Sequence, residues 1–229
     1  MTMRPLPALL LSTLALAACA PDHPGPEARS AARDSAAAPP PAPAHAPARW
    51  RSAPAEGVAL RGGDTVVVET GPHTVLWPAE QGELAPPYTV RVRMRKLHGR
   101  LAEGYGIVFG GRSLEGPEAG QAYTYFMVRG DGSWLIKRRA GPDAPVVRPW
   151  SASPAIRRDV DGEGRPNQLE VRVGEREAEF RVNGTEVARV PAAELDVRGV
   201  PGLRVAHGVQ LSFSGFEAAP GTGAAEDSP

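Results

Sequence analysis

The chain has 229 residues with 26 basic and 26 acidic side chains, and its formal net charge of zero excludes the electrostatic footprint of a nucleic-acid or acidic-membrane binder. With 26 glycines and 25 prolines it is rich in turn formers, and much of the proline falls in one stretch that will not fold. The single cysteine excludes an intrachain disulfide.

Residues 1–18 open with Arg4, continue as an apolar run and close on small residues, the pattern of a secretory signal peptide. It ends in Leu16-Ala17-Ala18-Cys19, which resembles the lipobox of bacterial lipoproteins. The resemblance implies cleavage before Cys19 and acylation of its sulfur and amine, with more than one acyl chain giving stable membrane anchoring. Ala20 follows rather than Asp, which by the sorting rule of enteric bacteria resembles an outer-membrane lipoprotein. The expected location is the cell envelope, with the folded part outside the cytoplasm. Residues 19–56 are Ala/Pro-rich, with PPPAPAHAPA at the centre and no apolar period. Such a tether cannot bury enough surface to offset chain entropy, so disorder with polyproline II character is expected. Its ~35 residues reach roughly 100 Å when extended. His23 and His45 read as solvated.

The folded domain is expected over residues 57–217. Residues 64–70 and 73–77 read as short strands. Residues 88–95 alternate cleanly, Tyr88, Val90, Val92 and Met94 against Thr89, Arg91, Arg93 and Arg95, the pattern of a half-buried strand with a solvated or ion-paired basic face. Residues 105–110 (YGIVFG) are apolar on both sides and read as a central strand. Residues 122–129 and 133–139 form a hairpin around Gly130-Asp131-Gly132, and the Pro-punctuated residues 142–154, with Trp150, read as a loop.

Residues 167–190 (NQLEVRVGEREAEFRVNGTEVARV) hold three antiparallel strands. Asn183-Gly184 between alternating apolar residues is a strong hairpin signal, because both central residues of a type I′ turn need positive φ. The two-residue loop predicts Val182 opposite Thr185, Arg181 opposite Glu186 and Phe180 opposite Val187. PAAELDV is one possible helical turn. Residues 199–208 lead to a last strand over 209–216, and residues 218–229 read as a disordered tail. Ten to twelve short strands with no helix of useful length predict an all-β sandwich of two antiparallel sheets.

The order YGIVFGG, AYTYFMVRGDGSWLIKRR, a tryptophan loop, NQLEVRV…EFRVNGTEV, GVPGLRV and LSFSGFE resembles the concanavalin A-like lectin/glucanase domains, near the laminin-G-like domains and the bacterial family labelled 3-keto-disaccharide hydrolase. The resemblance covers roughly residues 85–217 and implies a jelly-roll sandwich. It implies no single activity, because lectins, hydrolases and adhesion modules share the fold.

A glycosidase needs two carboxylates flanking one bond. The E-x-D-x-x-E strand motif of laminarinase-type members does not occur here, and Glu170, Glu177 and Glu179 read as a solvated sheet face. Asp159, Asp161 and Glu163 in DVDGEG have the alternate carboxylates and glycine of oxygen-ligand loops but lack a distal bidentate Glu, so an acidic turn is preferred to calcium. No zinc cluster, nucleophile elbow, phosphate loop or dinucleotide motif occurs, and no cofactor is expected.

Sugar sites combine an aromatic face with a few planar polar groups. Tyr123, Tyr125 and Arg129 share one strand parity, and Trp134, Ile136 and Arg138 share the parity of the next. If the two sets face the same way, Tyr123, Tyr125, Trp134 and Arg138 line one sheet surface; otherwise some of them supply core. His207, before the last strand, is a rim candidate. The expected function is a non-catalytic module for glycan or another envelope ligand. The alternatives are an enzyme of the keto-disaccharide hydrolase type and an adhesion module for an envelope protein. Oligomeric state is not legible.

Overall fold

The structure, a computed structural model, describes residues 49–221, so the leader, Cys19, most of the tether and the last residues of the tail lie outside the described residues. Fourteen strands form: β1 (Trp50–Ala53), β2 (Val58–Gly62), β3 (Thr65–Thr70), β4 (Thr74–Pro78), β5 (Tyr88–His98), β6 (Gly104–Arg112), β7 (Ala122–Arg129), β8 (Ser133–Ala140), β9 (Val146–Ala152), β10 (Asn167–Val173), β11 (Glu177–Val182), β12 (Thr185–Pro191), β13 (Val200–Val205) and β14 (Gln210–Pro220). They make two seven-stranded antiparallel sheets packed as a jelly-roll sandwich. Sheet A runs β1-β4-β13-β6-β7-β8-β9 and sheet B runs β12-β11-β10-β5-β14-β3-β2. The helical pieces among the described residues are two single 3-10 turns, Glu118–Gly120 and Ala192–Glu194.

Sheet B follows the half-buried rule. Val90, Val92 and Met94 of β5 are fully buried against sheet A, and Leu169 and Val171 of β10 lie opposite Val92 and Val90. The alternate residues face out and several of them pair, with Arg91 2.6 Å from Glu217 and Arg172 2.6 Å from Glu170. Phe180 of β11 packs with Phe126 (5.3 Å between ring centroids) and Phe109 (6.0 Å), joining the two sheets. Each such aromatic pair adds about 0.5–1.5 kcal/mol beyond its burial.

The Asn-Gly turn closes as its residues require, with φ of 50° at Asn183 and 85° at Gly184. Val182 faces Thr185 and Arg181 faces Glu186, but Phe180 faces Ala188 instead of Val187. A bulge between Phe180 and Arg181 shifts the register by one residue. Bulges of this kind strengthen local twist, and β12 is an edge strand, where they are most easily accommodated.

Four stretches differ from the sequence expectation. Residues 146–152 form strand β9 and not a loop; Pro149 is compatible with a strand there because β9 is the edge of sheet A. Val200–Val205 is the strand β13, held between β4 and β6. The sandwich also begins before residue 57: Trp50 of β1, in the stretch read as tether, meets Phe213 and Phe216 edge-on at 4.8 and 5.1 Å. That aromatic contact supplies the burial the Ala/Pro-rich composition lacks. At the other end β14 runs on to Pro220, paired with Tyr88 of β5.

Candidate functional site

Sheet A is apolar on both faces. In β7 the even residues Thr124, Phe126 and Val128 face sheet B, while Tyr123, Tyr125 and Met127 face away and are still buried. The outward set joins Val75, Trp77, Val108 and Leu135 in a second apolar cluster. Over this cluster lie two adjoining clefts, of about 330 and 360 Å3. His73 and Arg204 line both. Tyr125, Lys137 and Trp150 belong to the first, and Tyr123, Glu118 and Gln121 to the second.

Neighbouring strands put these groups together. The Gly130-Asp131-Gly132 turn sets Tyr125 opposite Lys137 and Tyr123 opposite Arg139. Its geometry is held by the Asp131 carboxylate, which accepts from the Ser133 amide at 2.9 Å, and by Gly132 at φ 86°. Arg204 comes from β13. Its Nη1 donates to the Tyr123 hydroxyl at 2.6 Å, and its guanidinium carbon lies 4.8 Å from the Tyr125 ring centroid, within cation–π range. Trp150, in the expected loop that is in fact β9, is 37% exposed, enough to offer an indole surface at the cleft. The Arg129 guanidinium sits 4.2 Å from the Trp150 ring centroid and also binds Asp131 at 2.8 Å.

A polar chain crosses between the clefts. His73 Nε2 lies 3.0 Å from the Glu118 carboxylate, and His73 Nδ1 lies 3.1 Å from His207 Nε2. An ionised carboxylate only accepts, so His73 donates through Nε2, and a neutral His73 accepts the His207 Nε2–H at Nδ1. Glu118 also binds Arg139. Burial and the Arg204 charge, outweighing Glu118, hold the His73 pKa below that of an ordinary histidine. Burial, then the charges of Arg204 and Arg139, lower Lys137. Burial pushes Glu118 up, but the hydrogen bond from His73 and the Arg139 charge outweigh it, so its pKa is lowered.

The sequence candidates therefore separate. Tyr123 and Tyr125 lie on the outer face of sheet A, and His207 sits at the rim against His73. Trp134 does not join them. It is opposite Val128, 8% exposed, and its ring is 6.4 Å from Phe126 in the main core. Across this turn even residues face even residues, so the aromatic faces of β7 and β8 do not coincide. Arg138 also points away from the clefts and binds Asp196 at 3.0 Å, which Arg112 binds at 2.8 Å. In DVDGEG, Asp159 is committed to the buried Lys96 at 2.9 Å and Glu163 lies 4.0 Å from Arg95. Among the described residues no group of three or more His, Cys, Asp or Glu side chains is placed to hold a metal ion.

His73, Glu118, Lys137, Trp150 and Arg204 were missed from sequence. Two signals pointed to them. The hairpin register puts Lys137, not Trp134, across from Tyr125. Arg204 interrupts the otherwise apolar VPGLRV, where a charge needs a reason.

No protein-family model and no curated protein matches the chain. Among solved structures it is similar to the carbohydrate binding module CBM66 from Bacillus subtilis, with a TM-score of 0.59 and 9% identity over 75% of this chain and 96% of that one. It is also similar to a Bacillus subtilis protein of unknown function with a galectin-like fold, with a TM-score of 0.54 and 11% identity over 74% and 88% of the two chains. At these identities the likeness is one of fold.

Proposed function

We propose that the protein is a lipid-anchored component of the bacterial cell envelope, held in the outer membrane through Cys19, whose sandwich binds carbohydrate without cleaving it. The observation that carries the binding reading is the exposed Trp150 indole beside a cleft floored by Tyr125 and edged by Lys137, Arg204 and His207. A sugar ring stacks its C–H face on an aromatic surface and directs its hydroxyls to a few fixed donors and acceptors, the combination found here. The similarity in fold to a carbohydrate binding module supports the same reading. The Ala/Pro-rich tether would carry the sandwich away from the bilayer, within reach of envelope glycans.

The test is titration of the full-length protein with a panel of oligosaccharides, followed by tryptophan fluorescence, with mass spectra of the sugars taken after prolonged incubation. Saturable binding, weakened about tenfold in Trp150→Ala, with intact sugars is the expected result. No binding by any sugar overturns the reading. Anchoring is tested separately: Cys19→Ser should abolish incorporation of labelled fatty acid and move the protein out of the membrane fraction.

The His207–His73–Glu118 chain favours one second reading, a general base at the cleft that would make the protein a sugar-processing enzyme. Time-dependent change in sugar mass, lost in His73→Gln, would establish it over the binding module.

A further inference from the structure

Two arginines among the described residues are buried, Arg139 and Arg204. Arg139 has its counter-charge in Glu118. Arg204 forms no ion pair among the described residues; its partners are the neutral Tyr123 hydroxyl and the Tyr125 ring. A hydrogen bond and a cation–π contact offset only part of the cost of taking a guanidinium out of water. Both contacts also fix the plane of the guanidinium, leaving a rigid fork suited to a planar two-oxygen anion.

Lys137 lines the same cleft as Arg204 and likewise forms no ion pair among the described residues. Burial first, and then the nearby Arg204 and Arg139 charges, lower its pKa, as expected for a cation close to others. Of the carboxylates nearby, Glu118 is bound by Arg139 and His73, and Glu103 lines the cleft without pairing to Arg204 or Lys137. The unliganded cleft therefore holds unbalanced positive charge, in a chain whose overall charge is zero. An arriving anion gains attraction to both cations and removes their mutual repulsion.

We infer that the cleft selects acidic sugars, seating a uronate carboxylate on Arg204 and Lys137 with the sugar ring against Trp150. This rests on the carbohydrate reading above. A cleft of about 330 Å3 bordered by one indole suits a sugar unit, while the absence of net charge argues against an extended polyanion as the ligand.

The experiment is calorimetric titration of the full-length protein with tri-galacturonate, its fully methyl-esterified form and a sulfated neutral trisaccharide. The expected result is binding of the tri-acid at least about tenfold tighter than the ester, with the difference shrinking as salt is raised. Arg204→Gln should erase the preference for the acid. Because Arg204 is buried, Lys137→Gln is the second variant; it should keep the parent melting temperature and weaken the acid about fivefold more than it weakens the ester. Equal or tighter binding of the ester overturns the inference and leaves the neutral-carbohydrate reading standing. Tighter binding of the sulfated sugar overturns the carboxylate assignment. Binding of none of the three overturns the inference, and failure across the wider sugar panel as well removes the carbohydrate reading with it.

Discussion

Both outer faces of the sandwich carry charged side chains, and they reach opposite ends. The outer face of sheet B carries arginines and glutamates in alternate positions, and most of them pair locally: Arg91 with Glu217, Arg172 with Glu170, Arg181 with Glu179, Arg189 with Glu186. The outer face of sheet A carries Arg204, Arg139 and Lys137 on a bed of Tyr123, Tyr125, Met127 and Leu135, with Glu118 as the counter-ion for Arg139. Exposed pairs in water are worth little and tell a partner little. Charges set on aromatic rings in a partly desolvated cleft are stronger and more directional. The difference teaches that a charged sheet face is read by what lies beneath it and by how completely its charges are matched, not by how many there are.

The comparison breaks most severely at the aromatic bed. Tyr125→Ala removes a side chain only 4% exposed, and should cost about 3 kcal/mol of stability in urea denaturation and abolish sugar binding together. A smaller and more selective effect is expected from Tyr123→Phe. It deletes the hydroxyl that accepts from Arg204, and should cost about 1.5–3 kcal/mol by the same denaturation assay while keeping the ring in place.

The pH dependence of the two faces should differ next. His73 has a folded pKa below its unfolded value of 6.5, so the unfolded chain binds the proton more readily. Its contribution to stability is present above the unfolded value and is lost as pH falls through the folded one. The melting temperature should therefore drop more between about pH 7.5 and pH 5.5 in the parent than in His73→Gln, and an equal drop would remove His73 as the cause. The smallest effect belongs to sheet B: Arg172→Ala should change stability by less than about 1 kcal/mol and leave sugar binding untouched, since the Arg172 side chain is itself more than half exposed. A loss of binding there would move the functional face to the other side of the molecule.

Much of the fold was open to reading from the chain alone. Period-two alternation over 88–95 and 167–182 identified half-buried strands, Asn183-Gly184 located a hairpin through its need for positive φ, and the lack of any long helical period left a two-sheet sandwich. These signals are local, carried by residues within a few positions of one another. The site was less legible, for two physical reasons. Sheet A is buried on both faces, so its strands have no polar side to show which parity faces the partner sheet; Trp134 was placed with Tyr125 although the turn sends it to the core. The remaining groups come from far apart in sequence: His207 lies 134 positions from His73, Glu118 lies 45 from it, and Arg204 lies 81 from Tyr123. The pairing of β13 between β4 and β6 brings Arg204 to the two adjoining clefts that His73 also lines. Sequence determined that strands would form and where they would turn, because those choices are made by neighbouring residues. The tertiary structure decided which face became the cleft and left Arg204 without an ion-paired carboxylate there, because that depends on strands meeting across the whole chain.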